Sequence, residues 1–232
     1  MIEPNMATML VFILTDIAIS RSFLRKSLAE CAANTFNRIS IDGDQSTSDT
    51  ALLISSGRKS GVSEADFQRC LHNLCWKLAE DIVRNGEGTR HVIRTTVKGA
   101  LDDEHAAGAA KAIVNSPLVK TAVFGNDPNV GRLLSALGDY MGNNNLAVDP
   151  KSVSINMGGL LVFDHGAFNL DVDKESHLSR YLMECRLENL GFPEHEKTVD
   201  IEIHIGEGPQ SQTVLGSDLS HDYIEENAEY RS

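Results

Sequence analysis

The amino-acid sequence predicts an α/β or α+β (layered) chain, and three observations carry that prediction. Short apolar runs bounded by polar residues, at residues 9–15 and 50–55, have the length of buried strands and are too short for independent helices. Longer segments, above all the one that opens at Ser63, repeat their apolar positions every 3.6 residues behind a capping residue. The two kinds of segment alternate in blocks along the chain, without internal repeats or low-complexity stretches.

In order, residues 9–15 are expected to form a central, buried strand. Residues 20–34 read as a helix with Ser20 as its cap and Phe23, Leu24, Leu28, Cys31 and Ala32 on one apolar face. Residues 36–41 read as a strand running into the Asp42-Gly43-Asp44 turn, and residues 50–55 as another short buried strand. The Ser63-Glu64-Ala65-Asp66 capping box opens a helix whose apolar side is Phe67, Cys70, Leu71, Leu74, Cys75, Leu78 and Ile82. Residues 90–97 alternate as a strand does, and residues 102–115 form an Ala-rich helix. After Ser116-Pro117 the pattern restarts with a strand at 118–124, a helix at 129–141 and strands near 152–156 and 160–164, which suggests a domain boundary near residue 115. A helix at 174–187, strands at 198–205 and 212–216 and a helical segment at 220–228 complete the chain, with Gly206-Glu207-Gly208 read as a hairpin turn.

Composition narrows the function classes. A net charge of −12 with 21 scattered Lys and Arg gives no basic footprint for nucleic acid, although it does not exclude anionic small molecules, which respond to the local field of a pocket. The longest apolar run is shorter than the about 20 residues that span a bilayer, and Asp16 interrupts it. Cys31, Cys70, Cys75 and Cys185 form no CxxC pair and read as reduced, packed thiols. The histidines show no metal-site spacing, and Asp42, Asp44 and Asp49 lack the alternation and terminal Glu of a calcium loop, so no metal is expected.

The candidate chemistry starts at Pro4-Asn5-Met6-Ala7-Thr8-Met9-Leu10. A threonine after a small residue at the mouth of an apolar run reads first as a strand entry. Were the Ala7–Thr8 bond cut, however, one residue would carry a hydroxyl nucleophile and an α-amine with a pKa of about 8, able to serve as its own base. Glu87, between Gly86 and Gly88, reads alone as a solvated turn glutamate, and the tail from Asn227 to Ser232 as a frayed end.

Several blocks in one order alter these readings. The segment around Thr8, then Asp42-Gly43-Asp44-Gln45-Ser46-Thr47-Ser48-Asp49-Thr50, Gly86-Glu87-Gly88-Thr89-Arg90, Asp127-Pro128-Asn129-Val130-Gly131-Arg132 and the terminal Asn227-Ala228-Glu229-Tyr230-Arg231-Ser232 resemble the ornithine acetyltransferase family, also called glutamate N-acetyltransferase or ArgJ. Members are made as one precursor that cuts itself into an α and a β chain, and this sequence resembles the β chain preceded by the last seven residues of α. The resemblance implies the β-chain part of an ArgJ/DmpA-like self-processing, N-terminal-nucleophile-type sandwich. Residues 1–7 would be the α remnant, residues 8–115 a nucleophile-bearing α/β domain, and residues 116–232 a C-terminal α/β domain with a substrate-binding tail.

The implied activity is acetyl transfer from N2-acetyl-L-ornithine to L-glutamate through acetyl-Thr8, in arginine biosynthesis. Glu87, Asn227 and Ser232 would bind substrate beside Thr8: a carboxylate suits a charged amine, an amide can donate and accept, and a hydroxyl can bond an α-carboxylate. No cofactor is implied, and acetyl-CoA stays open as a second acetyl donor. The implied partner is the α chain of the same precursor, in an αβ or α2β2 assembly in the cytoplasm, or in the mitochondrial matrix of a fungal member. In the family α supplies the oxyanion hole and a substrate-binding lysine, so a lone copy of this chain is expected to be inactive. Two positions depart from the pattern: Val130 stands where Trp is usual, and Ser232 where Thr is frequent. Two rival readings remain, a self-processing amidase or aminopeptidase of related fold, and an inactive, truncated partner-binding fragment.

Overall fold

The computed structural model describes residues 9–44, 48–188 and 195–229. Ala7, Thr8 and Ser232 lie outside them. The chain divides into two compact units, residues 1–82 and 83–232, and residue 115, where the sequence pattern restarts, lies inside the second.

In the first unit, β1 (Leu10–Ile17) pairs in parallel with β3 (Thr50–Lys59), Leu10 standing opposite Thr50 and Leu14 opposite Ile54. Between them in the chain come α1 (Arg21–Asn34), a 3-10 turn at Phe36–Arg38 and β2 (Ile39–Ser40), so the strand expected over 36–41 contracts to two residues behind a turn. Ser20 caps α1, its Oγ accepting from Phe23 N at 3.2 Å. α2 (Glu64–Arg84) opens on the Ser63 box, with Ser63 Oγ donating to Asp66 at 2.7 Å and accepting from Asp66 N at 3.1 Å. Its buried stripe is Phe67, Leu71, Cys75 and Ala79, spaced four apart as one helix face requires.

Two expectations need correction here. Met9, Val11 and Ile13 are buried, but the opposite face of β1 is bare, with Leu10 65%, Phe12 61% and Leu14 74% exposed and Leu52 and Ile54 beside them. The strand is therefore buried on one side only, because this unit offers a single layer of cover. Cys70, expected to pack, is exposed together with Leu74, since both fall off the four-apart stripe. They border an open apolar cavity of about 200 Å³ with Leu14, Val62 and Phe67.

In the second unit, β4 (Val92–Ala100), β5 (Ser154–Met157), β6 (Leu160–Asp164), β7 (Ala167–Phe168), β8 (Val199–His204) and β9 (Gln210–Ser217) run in the order β9-β4-β8-β5-β6-β7. β4 lies parallel to β8 and antiparallel to β9. Gly206-Glu207-Gly208 is thus not a hairpin: it carries the chain across the end of β4. A Cβ on Gly99 would lie 2.0 Å from Gly206 O and one on Gly208 2.0 Å from Ala100 O, so the crossing demands glycine at both levels.

The core forms where α3 (Asp103–Asn115) and α5 (Val130–Asn143) join Ile93, Val97, Ile155, Ile201, Ile203 and Val214 of the sheet. The alanines of α3, buried at 106, 107, 109 and 110, suit close helix–sheet approach. Residues 118–124, expected as a strand, belong to α4 (Pro117–Phe124). Ser116 caps it, Pro117 occupies its first turn, and Val119, Ala122 and Val123 are buried at helical spacing. The Ser-Pro pair that reads as a break is a helix start. α6 (Val172–Glu184) and α7 (His221–Glu229), the latter capped by Ser220, complete the unit.

Candidate active site

Nothing is described at Thr8 itself, but the strand it leads into is. Met9 N donates to the Asp49 carboxylate, and Thr50 N donates to Met9 O at 2.7 Å. The end of the 42–50 block is therefore bound to the backbone one residue past the candidate nucleophile, a pairing set by the parallel register of β1 and β3.

Glu87 and Asn227 both belong to the second unit. Glu87 is exposed in the turn that follows α2, where Gly86 N donates to Val83 O at 3.1 Å and Thr89 N to Gly86 O at 3.0 Å. Gly88 takes φ +61°, and a Cβ there would lie 2.2 Å from Tyr223 N and 2.7 Å from Ser220 Oγ. Only glycine lets the turn lie this close to the first turn of α7. Ser220 Oγ then donates to Gly88 O at 2.6 Å while accepting from Tyr223 N at 3.0 Å, so one hydroxyl caps the helix and ties it to the turn. Asn227 is one helical turn, about 6 Å along the axis, beyond Tyr223. Its amide nitrogen donates to Tyr223 O at 2.9 Å, leaving the amide oxygen to serve as acceptor. The Glu87 turn and the Asn227 helix are thus brought together, and Ser232 lies outside the described residues.

The surroundings hold groups that the sequence does not single out. Asp218 and His91 are fully buried, with Asp218 Oδ2 2.7 Å from His91 Nδ1 and Oδ1 accepting from Arg90 N at 2.9 Å. Arg90 Nε donates to Asp222 at 2.7 Å. From the other side, Lys120 Nζ of α4 donates to Ser217 O at 2.5 Å, and the Phe124 ring meets His221 edge-on at 5.5 Å. The 127–132 block supports α4: Asn129 caps α5, and Arg132 Nη1 donates to Leu118 O at 2.7 Å. Val130 is buried at that helix start, where a side chain affects packing. Ser220 had a local signal as a helix cap, whereas Asp218 and His91, 127 residues apart, had none.

Burial pushes the Cys75 thiol up to about 12, with its neighbour Cys31 adding to the effect. Among the described residues no group of three or more His, Cys, Asp or Glu could hold a metal ion. No described helix is long and apolar enough to cross a membrane.

The ArgJ family model matches residues 1–232. The chain belongs to the ArgJ family. Among similar relatives, the arginine biosynthesis bifunctional protein ArgJ of Wolinella succinogenes is 37% identical over 233 residues, covering 100% of this chain and 54% of that protein. The glutamate N-acetyltransferase of Methanopyrus kandleri is 36% identical over 241 residues, covering 100% of this chain and 57% of its own. This ArgJ-family chain therefore spans about half the length of the curated relatives it matches. Its fold matches the crystal structure of the arginine biosynthesis bifunctional protein ArgJ from Bacillus halodurans with a TM-score of 0.82 and 32% identity, covering 96% of this chain and 100% of that one. The layered α/β architecture is thus the ArgJ fold.

Proposed function

We propose that this chain is the nucleophile-bearing part of a self-processing glutamate N-acetyltransferase, which moves acetyl from N2-acetyl-L-ornithine to L-glutamate in arginine biosynthesis. The observation that carries the reading is the close docking of the Gly86–Gly88 turn on the helix of Asn227, in a chain matched from end to end by its family.

In this mechanism the Thr8 hydroxyl first attacks the Ala7 carbonyl and the Ala7–Thr8 amide bond breaks, which frees the Thr8 α-amine and leaves Ala7 as an ester on Oγ; water then hydrolyses that ester and frees the hydroxyl. That amine then takes the hydroxyl proton as Thr8 Oγ attacks the acetyl carbonyl of acetylornithine, and returns it to the ornithine nitrogen as the amide bond breaks. The acetyl group waits as an ester on Thr8 until the glutamate amine attacks it and Thr8 Oγ leaves. Glu87 bonds the charged amine of the amino acid, while Asn227 and Ser232 take its carboxylate end. No cofactor enters the route, and acetyl-CoA would serve only as an alternative donor to the same hydroxyl.

The partner is the remaining half of the precursor, in an αβ or α2β2 assembly in the cytoplasm. The bare face of β1 and β3 supports this, because a parallel sheet is ordinarily covered on both sides and a two-stranded one is marginal alone. The proposed division is residues 1–7 as precursor tail, 8–115 around the nucleophile and 116–232 with the substrate-binding tail.

The test is Thr8→Ala in the intact precursor. Both chain cleavage and acetyl transfer are expected to vanish, with Thr8→Ser keeping part of each. A Thr8→Ala protein that still forms two chains and turns over rules out Thr8 as the nucleophile. Acetate release without acetylglutamate would favour the amidase reading instead.

A further inference from the structure

α7 is weakly held by conventional means. It has nine residues, none of them buried, and a helix that short is unstable in water by itself. Its hold comes from polar ties at its N-terminal end. Asp218 accepts from Arg90 N, lies 2.7 Å from His91 Nδ1, and donates its own N–H to His91 O at 3.1 Å. Asp222, in the first turn of α7, accepts from Arg90 Nε at 2.7 Å and also from Arg90 Nη2. Arg90 is thus bound through its backbone to one aspartate and through its side chain to another, just after the Glu87 turn.

We propose that Arg90, Asp218 and Asp222 are positioning residues of the substrate site, which clamp the Asn227 helix to the Glu87 turn and fix the spacing at which both meet one amino acid. The proposal rests on the reading of Glu87 and Asn227 as substrate-binding groups. None of the three clamp residues touches substrate in it; they act on binding through the placement of α7. The buried Asp218–His91 pair sets the anchor point, and the half-exposed Arg90–Asp222 pair sets the approach of the helix.

The experiment uses the enzyme assembled with the rest of its precursor. Arg90→Glu, Asp222→Arg and the double exchange are compared by steady-state kinetics for acetylornithine and glutamate, and by hydrogen exchange of the peptide 221–229. Each single variant is expected to raise KM about two- to fivefold or more, the range of a partly exposed ion pair, with kcat within about twofold. Exchange across α7 should quicken, and the double exchange should restore both readouts. Asp222→Asn provides a milder variant should a charge reversal fail to fold. An unchanged KM in the single variants, or a double exchange that restores nothing, overturns the clamp. Glu87→Ala and Asn227→Ala separate the two levels: if these leave KM unchanged, the substrate-site reading itself falls, whereas if they raise it and the Arg90 and Asp222 variants do not, only the clamp falls.

Discussion

Replacing Gly88 by alanine adds one methyl group, and the structure allows its effect to be worked out. At φ +61° an L-residue bears about 1–2 kcal/mol of backbone strain. The new Cβ would also stand 2.2 Å from Tyr223 N, a backbone atom that cannot swing aside as a side-chain end can. Relief requires α7 to lift from the turn, which breaks the Ser220–Gly88 hydrogen bond, worth about 0.5–1.5 kcal/mol. The sum, roughly 1.5–3.5 kcal/mol, is an upper bound on the loss of α7 docking, equivalent to about ten- to several-hundred-fold faster opening. Because α7 buries no side chain, the melting temperature should fall little. Gly57→Ala is the control, since Gly57 has φ +64° and nothing within 4 Å of its added Cβ. Hydrogen exchange on 221–229, with KM from the processed enzyme, provides the assay. Equal behaviour of the two variants on both measures would refute the argument that contact with Tyr223 makes glycine obligatory.

Two further outcomes are expected. Deleting residues 227–232 from the precursor should leave self-cleavage intact and raise KM by about ten- to several-hundred-fold, as one or two charge-assisted hydrogen bonds are lost; an unchanged KM for both substrates would make the tail a frayed end. Stability should decline as pH rises above about 9, because thiols of the unfolded chain ionise near the ordinary value of 9.0 while buried Cys75 keeps its proton to about 12. The unfolded state then binds fewer protons than the folded one, so the slope is negative, and urea melts of Cys75→Ala should show a smaller decline; identical slopes would contradict it.

Local signals were legible in the sequence and tertiary ones were not. The caps Ser20 and Ser63 are read directly, because a capping side chain bonds only a backbone amide two or three residues on. The eight-residue run of α4 is ambiguous because a short apolar stretch fits either period, and a proline such as Pro117 marks a helix start as readily as a break. The strand order escaped as well: nothing near Gly206 says that β4, a hundred residues earlier, passes between β8 and β9. Of the candidate site, residue identities came from the family blocks. The Gly88 contact and the Asp218 anchor came only from the fold, since their partners are distant in sequence.

The placement of β4 between β8 and β9 also constrains how the chain can be made. Residues 92–100 are synthesised about a hundred residues before either flanking strand, so the middle of the sheet stays unpaired until residues 199–217 have left the ribosome. Such long-range closure is slow, and the waiting strand, rich in Val, Ile and Thr, is an aggregation template meanwhile. The polar residues Arg94 and Lys98, which end up paired with Asp200 and Glu202, keep that strand charged through the delay. Nascent chains arrested before residue 199 should therefore be the species that chaperones hold.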